Sequence, residues 1–299
     1  MECSVDDRSA QVRKLLRRMS PPRLARSVVP AGAGLDHTAY EVDGELIVRF
    51  ATDADPASRV GQVRTESRVL AVVGAMSPPA VPEPLLVVED AGAMVYRKLP
   101  GTPLLTLRGR LPNLDIDAFG EVLGGFLGRL HRTPVSAVEE FAPDDRLPLP
   151  EWLASAADDY RQVVDTVRPA RRPAVEAFLA APPPEDPDVS TFCHNDLGSE
   201  HVLVDPATLV VTGVIDWADA AITDPACDLA LIYRDLGPDA LTSLLDHYDD
   251  CAEPADGLRR RAEFYARCSV LEDMAYGLTR GQHAYLAQSL SALPWLFPG

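Results

Sequence analysis

Residues 191–205, TFCHNDLGSEHVLVD, place His194-Asn195-Asp196 and a second histidine, His201, in a short polar loop with an apolar segment on either side. Three chemistries suit such a loop: a metal-dependent hydrolase, a phosphoryl-transfer enzyme, or none at all, the polar residues merely bracing a hairpin. The next apolar segment, LVVTGVID (209–216), ends on a second carboxylate, Asp216. Two carboxylates at the ends of apolar strands, inside one loop–hairpin unit, are costly unless something cationic pairs with them. For Asp196 and Asp216 a functional reading therefore prevails. His194 reads as a scaffold that hydrogen-bonds its own loop.

Working outward, VLVD and LVVTGVID are short strand-like segments within an otherwise helical region. AFGEVLGGFLGRLHR, LPEWLASAADDYRQVV and PAVEAFLAA precede them with helical spacing of apolar residues, and ACDLALIYRDL, DALTSLLDHY and GLRRRAEFYARCSVLEDMAYGL follow. Proline-rich loops such as APPPEDPD separate these pieces. Before Pro100-Gly101 the texture differs. VDDRSAQVRKLLRRM reads as a capped helix, ARSVVP, TAYEV and ELIVRF as strands, and RVGQVRTESRVLAVVGAM as an inserted helix. PLLVVED and AMVYRKL form a further hairpin. The expected class is α+β, with a β-rich N-terminal lobe over 1–98, a larger helical lobe over 99–299, and a hinge near 97–102.

Composition bounds the alternatives. The 299 residues are long enough for one large domain or two modest ones, with 46% hydrophobic and 24% charged residues. The polar, acidic start is no secretory signal, and no apolar run approaches bilayer length. Five scattered cysteines without a CxxC pair suit reduced thiols in a cytoplasm. A net charge of −17 disfavours nucleic acid as a partner and favours cationic small molecules if some of the acid lines a cleft.

The first lobe separates the candidate chemistries. Ala31-Gly32-Ala33-Gly34-Leu35-Asp36-His37 stands between two strands, as a glycine-rich loop over phosphates does. Arg49 is a lone cation in the strand ELIVRF, and Glu66 lies in the following helix. A strand cation paired with a helix glutamate is how kinases grip the α- and β-phosphates, although Arg stands here for Lys. In the catalytic pattern H-R-D-x-x-x-x-N, His201 occupies the Asn position. A hydrolase needs none of the first lobe.

These stretches together resemble the aminoglycoside phosphotransferase family, kinase-fold enzymes acting on antibiotic hydroxyls. AGAGLDHTAYEVDGELIVRF resembles the family's nucleotide-loop hairpin and VYRKLPGTPL its hinge. HNDLGSEHVLVD resembles the catalytic loop, and TGVIDWADAAITDPACDLA the metal-binding segment. His201 is similar to the branch holding aminoglycoside 2″- and macrolide phosphotransferases. The resemblance implies a protein-kinase-like bilobal fold with Asp196 as catalytic base and His201 and Asp216 as Mg²⁺ ligands. Gly32, Gly34, Arg49 and Glu66 would surround the phosphates of ATP or GTP, and the backbone of Arg97 to Leu99 would meet the nucleobase. His37 stands where the family often has Asn. Asp219 would support the metal from behind, and Asp224 would cap the next helix. Tyr233, Asp235, Glu263 and Glu272 are candidates, with Asp196, for contacts to a small hydroxylated antibiotic. An aminoglycoside is favoured, and a macrolide or nucleoside antibiotic, a primary-metabolite kinase or a nucleotide-binding pseudokinase are the alternatives. No membrane and no obligate protein partner is expected.

Overall fold

The computed structural model describes residues 5–34, 37–76, 78–249 and 254–298. Leu35 and Asp36 of the glycine-rich stretch, Ser77, Cys3 and Cys251 lie outside the described residues. The chain divides into two compact units. The first comprises Met1–Pro100 and Gly213–Ala218, and the second Gly101–Thr212 and Asp219–Gly299.

In the first unit, α1 (Val5–Leu16) turns Val12, Leu15 and Leu16 inward at helical spacing and leaves Arg13 and Lys14 exposed. Among the described residues a five-stranded antiparallel sheet follows, ordered β1 (Val28–Ala33), β2 (His37–Val42), β3 (Leu46–Ala51), β5 (Ala93–Arg97) and β4 (Pro84–Val88). The β2–β3 turn sets Asp43 and Gly44 at φ 53° and 75°, two successive left-handed residues that suit the twist of the flanking strands. Period-two alternation sends Tyr40, Val42, Val48 and Phe50 against the α1 side chains. Arg49, one residue out of phase, projects from the opposite face. Helix α2 (Pro56–Val73) starts at Asp55, whose carboxylate accepts from Ala57 N and Ser58 N, with proline at the first helical position. Its buried stripe is Val63, Glu66, Val69, Leu70 and Val73, so a glutamate sits within an apolar face.

Two expectations need correction here. Ala31 to Ala33 belong to strand β1, which carries a register shift between Pro30 and Gly32. The turn proper begins at Gly34, whose N–H donates to His37 O at 2.9 Å. The segment Gly213–Ala218 clusters with the first unit and not with the second. The reason is local: Val214 N donates to Ala80 O at 2.8 Å, and Asp216 is an ion-pair partner of Arg49.

The second unit is mainly helical. It contains α3 (Ile116–His131), α4 (Leu149–Val163), α5 (Arg172–Ala180), α6 (Ala226–Leu236), α7 (Pro238–Asp246), α8 (Ala255–Thr279) and α9 (His283–Leu296). Helix α8 packs against α4, α6 and α9, and α3 packs against α7. In place of one expected hairpin there are two small sheets. β7 (Thr191–Cys193) pairs with β10 (Ala221–Thr223), and β6 (Thr102–Pro103) pairs with β8 (Val202–Val204), a sheet that β9 (Val211–Val214) continues. β6, β7 and β10 are two or three residues long, too short to carry a periodic signal. Gly101, at the start of this unit, has φ 112°, and a Cβ there would lie 2.3 Å from Thr212 Oγ1 and 3.0 Å from Val204 O. Among the described residues no helix is long and apolar enough to cross a membrane.

Candidate active site

The first unit assembles a charged cluster on the face of the sheet opposite α1. Arg49 Nη1 donates to Glu66 Oε1 from α2, the pairing expected from sequence. Arg49 Nη2 donates to Asp216 Oδ1 at 2.7 Å and to His37 Nδ1 at 2.7 Å. Burial disfavours the guanidinium charge, but Glu66 and Asp216 outweigh it and hold Arg49 above its ordinary pKa. Asp216 adopts φ 66°, a left-handed conformation that aspartate tolerates better than most residues. One guanidinium against two carboxylates leaves a negative charge in surplus, which suits a divalent cation. Lys98 N donates to Glu45 O at 2.9 Å, so the backbone groups of Arg97 and Leu99, one residue either side, face away from β3. Gly32 has open space where a Cβ would stand.

In the second unit, the polar loop leaves β7 and is suspended from helix α6. Asp228, completely buried, accepts His194 N at 2.8 Å on Oδ2 and Asn195 N at 2.7 Å on Oδ1. His131 Nε2 lies 3.0 Å from Asp228 Oδ2, and His131 Nδ1 lies 2.6 Å from Tyr248 Oη. Burial raises the Asp228 carboxyl, but the His131 contact and the loop amides outweigh it and hold the group below its ordinary value. Two turns along α6, Asp235 accepts Ser199 N at 2.8 Å and Arg234 Nε at 2.8 Å. Between these anchors Asn195 takes φ 67° and donates from Nδ2 to Asp145 Oδ2 at 2.8 Å. Asp196 follows, its side chain 42% exposed.

His194 is fully buried and Asp196 N approaches its Nδ1 at 3.3 Å, the scaffold role read from sequence. His201 Nδ1 lies 2.6 Å from Asp196 O. A carbonyl only accepts, so Nδ1 carries the proton and the ring presents its lone pair at Nε2, the form that ligates a metal. Imidazole nitrogen and carboxylate oxygen together fit a divalent cation, with oxygen the better match to Mg²⁺. Among the described residues the group whose ligand-type atoms all lie within 4.8 Å of one another is His131, Cys193 and Asp228. There the Asp228 oxygens serve the loop amides and His131, so this group is a brace.

Of the residues expected to touch an acceptor, two do other work. Asp235 is buried and ties Ser199 to Arg234, and Tyr233 is buried, its carbonyl accepting from Trp295 Nε1 at 3.2 Å. Both stand on α6, a helix buried on most of its sides, so that a side chain there faces the core. Glu263 is half-buried, 3.9 Å from Arg267, and Glu272 is exposed. Asp224 accepts Ala226 N at 2.9 Å, the capping expected of it, and pairs with Arg261, while Asp219 is exposed. Sequence reading missed Asp228, Glu200, Asp273 and Tyr285. The Tyr285 hydroxyl is raised by burial and then by the negative charges of Glu200, Asp273 and Asp196. The signal for Asp228 was available: a carboxylate in the apolar run ACDLALIY demands a buried partner.

The fold is that of the kinase-like phosphotransferases. Over 95% of its length the chain superimposes on 97% of the GDP and kanamycin complex of APH(2″)-IIIa, with TM-score 0.71 and 18% identity. Over 98% it superimposes on 98% of a macrolide 2′-phosphotransferase type I, with TM-score 0.64 and 23% identity. In sequence it is 26% identical to the viomycin phosphotransferase of Streptomyces vinaceus over 162 residues, 52% of this chain and 55% of that one. The chain spans about half or less of the length of the curated relatives it matches. The profile of the phosphotransferase enzyme family matches residues 27–264, and the chain belongs to that family.

Proposed function

We propose that this protein transfers the γ-phosphoryl group of ATP or GTP to a hydroxyl of a small antibiotic, working in the cytoplasm where its donor is found. The observation that carries the reading is the Arg49 fork between Glu66 and Asp216, since neither a hydrolase nor a passive hairpin has use for it. Arg49 would grip the donor's non-transferred phosphates. Asp196 would orient the acceptor hydroxyl and take its proton as the new O–P bond forms and the bond to the nucleoside diphosphate breaks. Asp216 and His201 would each offer a ligand atom to Mg²⁺, which would neutralise phosphate charge. Such chemistry depends mostly on positioning and electrostatics, in keeping with a loop hung from two buried carboxylates.

An aminoglycoside is the favoured acceptor. The chain carries a net charge of −17, and the negative charges of Asp196, Glu200 and Asp273 all act on Tyr285, with Arg234 against the latter two; the excess of acid suits a molecule bearing several amino groups. Kanamycin and viomycin, named with the relatives above, are the first acceptors to try. The test is incubation with ATP or GTP, Mg²⁺ and a panel of aminoglycosides, macrolides and nucleoside antibiotics, followed by mass spectrometry. One product heavier by about 80 mass units, a single phosphoryl group, is expected. Nucleotide binding with no product on any acceptor would favour a pseudokinase. Absence of nucleotide binding would end the reading.

A further inference from the structure

His37 has no place in the chemistry above, yet it is built into the phosphate-gripping cluster. Arginine is a donor only, so the 2.7 Å contact from Arg49 Nη2 makes His37 Nδ1 an acceptor and puts the ring proton on Nε2. Nε2 lies 3.5 Å from Asp216 Oδ2, while the same Nη2 donates to Asp216 Oδ1 at 2.7 Å. Arg49, His37 and Asp216 thus close a ring, and Nη1 extends it to Glu66. The register produces this geometry. His37 pairs with Ala51, two residues from Arg49 on the same face of β3, so the two side chains are diagonal neighbours. A lysine at 49 would bring one ammonium nitrogen, and partners spread over two guanidinium nitrogens could not all be met by it.

We propose that His37 is a positioning residue for the nucleotide donor: it holds one arm of the Arg49 fork, so that a single guanidinium stays on both Glu66 and Asp216 when the triphosphate arrives. Arg at 49 and His at 37 act as a matched pair. This inference rests on the phosphotransferase reading for its purpose, though the contact itself does not.

The experiment is a double-mutant cycle on the full chain, with MgATP and MgGTP binding measured by calorimetry. His37→Ala should weaken nucleotide binding about ten-fold, the loss of one charge-assisted hydrogen bond. In an Arg49→Lys background the same change should matter less than about two-fold, because the coupled partner is gone. His37→Asn, whose Oδ1 can accept in place of Nδ1, should recover wild-type affinity to within about three-fold. Equal losses in both backgrounds, or no recovery by Asn, would overturn the proposal. A second readout needs no nucleotide: ¹⁵N shifts of the His37 ring at about pH 8, where an unperturbed imidazole is neutral, should show an unprotonated Nδ1 and a protonated Nε2. A proton on Nδ1 overturns the contact. If the wild type binds neither nucleotide, the phosphotransferase reading fails and the positioning role with it, while this second readout still decides the Arg49–His37 contact.

Discussion

Asp196 and Asp235 are aspartates of one unit with opposite surroundings. The Asp196 side chain is 42% exposed on a loop with its backbone already satisfied; that of Asp235 is wholly buried between Ser199 N and Arg234. Substitution should part them. Asp196→Asn keeps the shape and removes the proton acceptor, so kcat should fall about 10²- to 10⁴-fold. Nucleotide affinity, followed by titration calorimetry, should stay nearly unchanged; turnover near the wild-type rate would remove Asp196 from the mechanism. Asp235→Asn weakens the tie between Ser199 N and Arg234 while Asp273 still faces that guanidinium, and should cost about 1–3 kcal/mol in urea unfolding. If instead it raised KM for the acceptor with stability untouched, the bracing role would be wrong. Sequence reading made Asp235 a candidate for the acceptor because it stands on the C-terminal helices, where the substrate pocket was expected. What distinguishes it is its spacing from Asp228. Seven residues are two helical turns, so both carboxylates share one face of ACDLALIYRDL with its apolar residues.

That spacing makes α6 the bracket of the loop after β7: Asp228 takes its first amides and Asp235 takes Ser199 N. The loop can then hold Asn195 at φ 67° without support from long strands, since β7 and β8 are three residues each. Helices such as α2 and α3, and strands β2 and β3, were legible because their apolar periodicity extends over six residues or more. β6, β7 and β10 were not, because pairing of such short strands is decided by what the rest of the chain brings alongside. The Pro100-Gly101 exit was legible as a break, but the demand on Gly101 was not. Its φ of 112° and the Thr212 and Val204 atoms around it are tertiary facts. Gly101→Ala should therefore destabilise through backbone strain of about 1–3 kcal/mol plus the clash. For a chain of this size that lowers Tm by about 2–4 °C per kcal/mol. An unchanged Tm in a calorimetric scan would show that the backbone there relaxes freely.

Across the whole molecule the excess of acid is not evenly spread, and one carboxylate shows it. Asp273, 2.7 Å from Arg234, shares that cation with Asp235 and Glu200. Burial, opposed by Arg234 and reinforced by Glu200, Asp235 and Glu272, pushes its carboxyl up to about 7. In the unfolded chain it would titrate near about 3.9. Between those values the folded protein keeps a proton that the unfolded chain has released, so this group makes stability fall as pH rises from about 4 to about 7. Asp228 and Asp235, held below their ordinary values, act with the opposite sign: their stabilisation is complete above the ordinary carboxylate range and is lost in stronger acid. Chemical denaturation should therefore give greatest stability near about pH 5 and a decline toward neutrality. Asp273→Asn should flatten that decline and leave the acid limb in place. The same proton bears on the acceptor. A cationic acceptor seated by Glu200 and Asp273 would favour the ionised carboxylate, so its binding at about pH 6.5 should release a proton. Calorimetry in buffers of different ionisation enthalpy reads that release directly. It should vanish in Asp273→Asn; an undiminished release in that variant would place the titrating group, and with it the acceptor's amino groups, elsewhere in the protein.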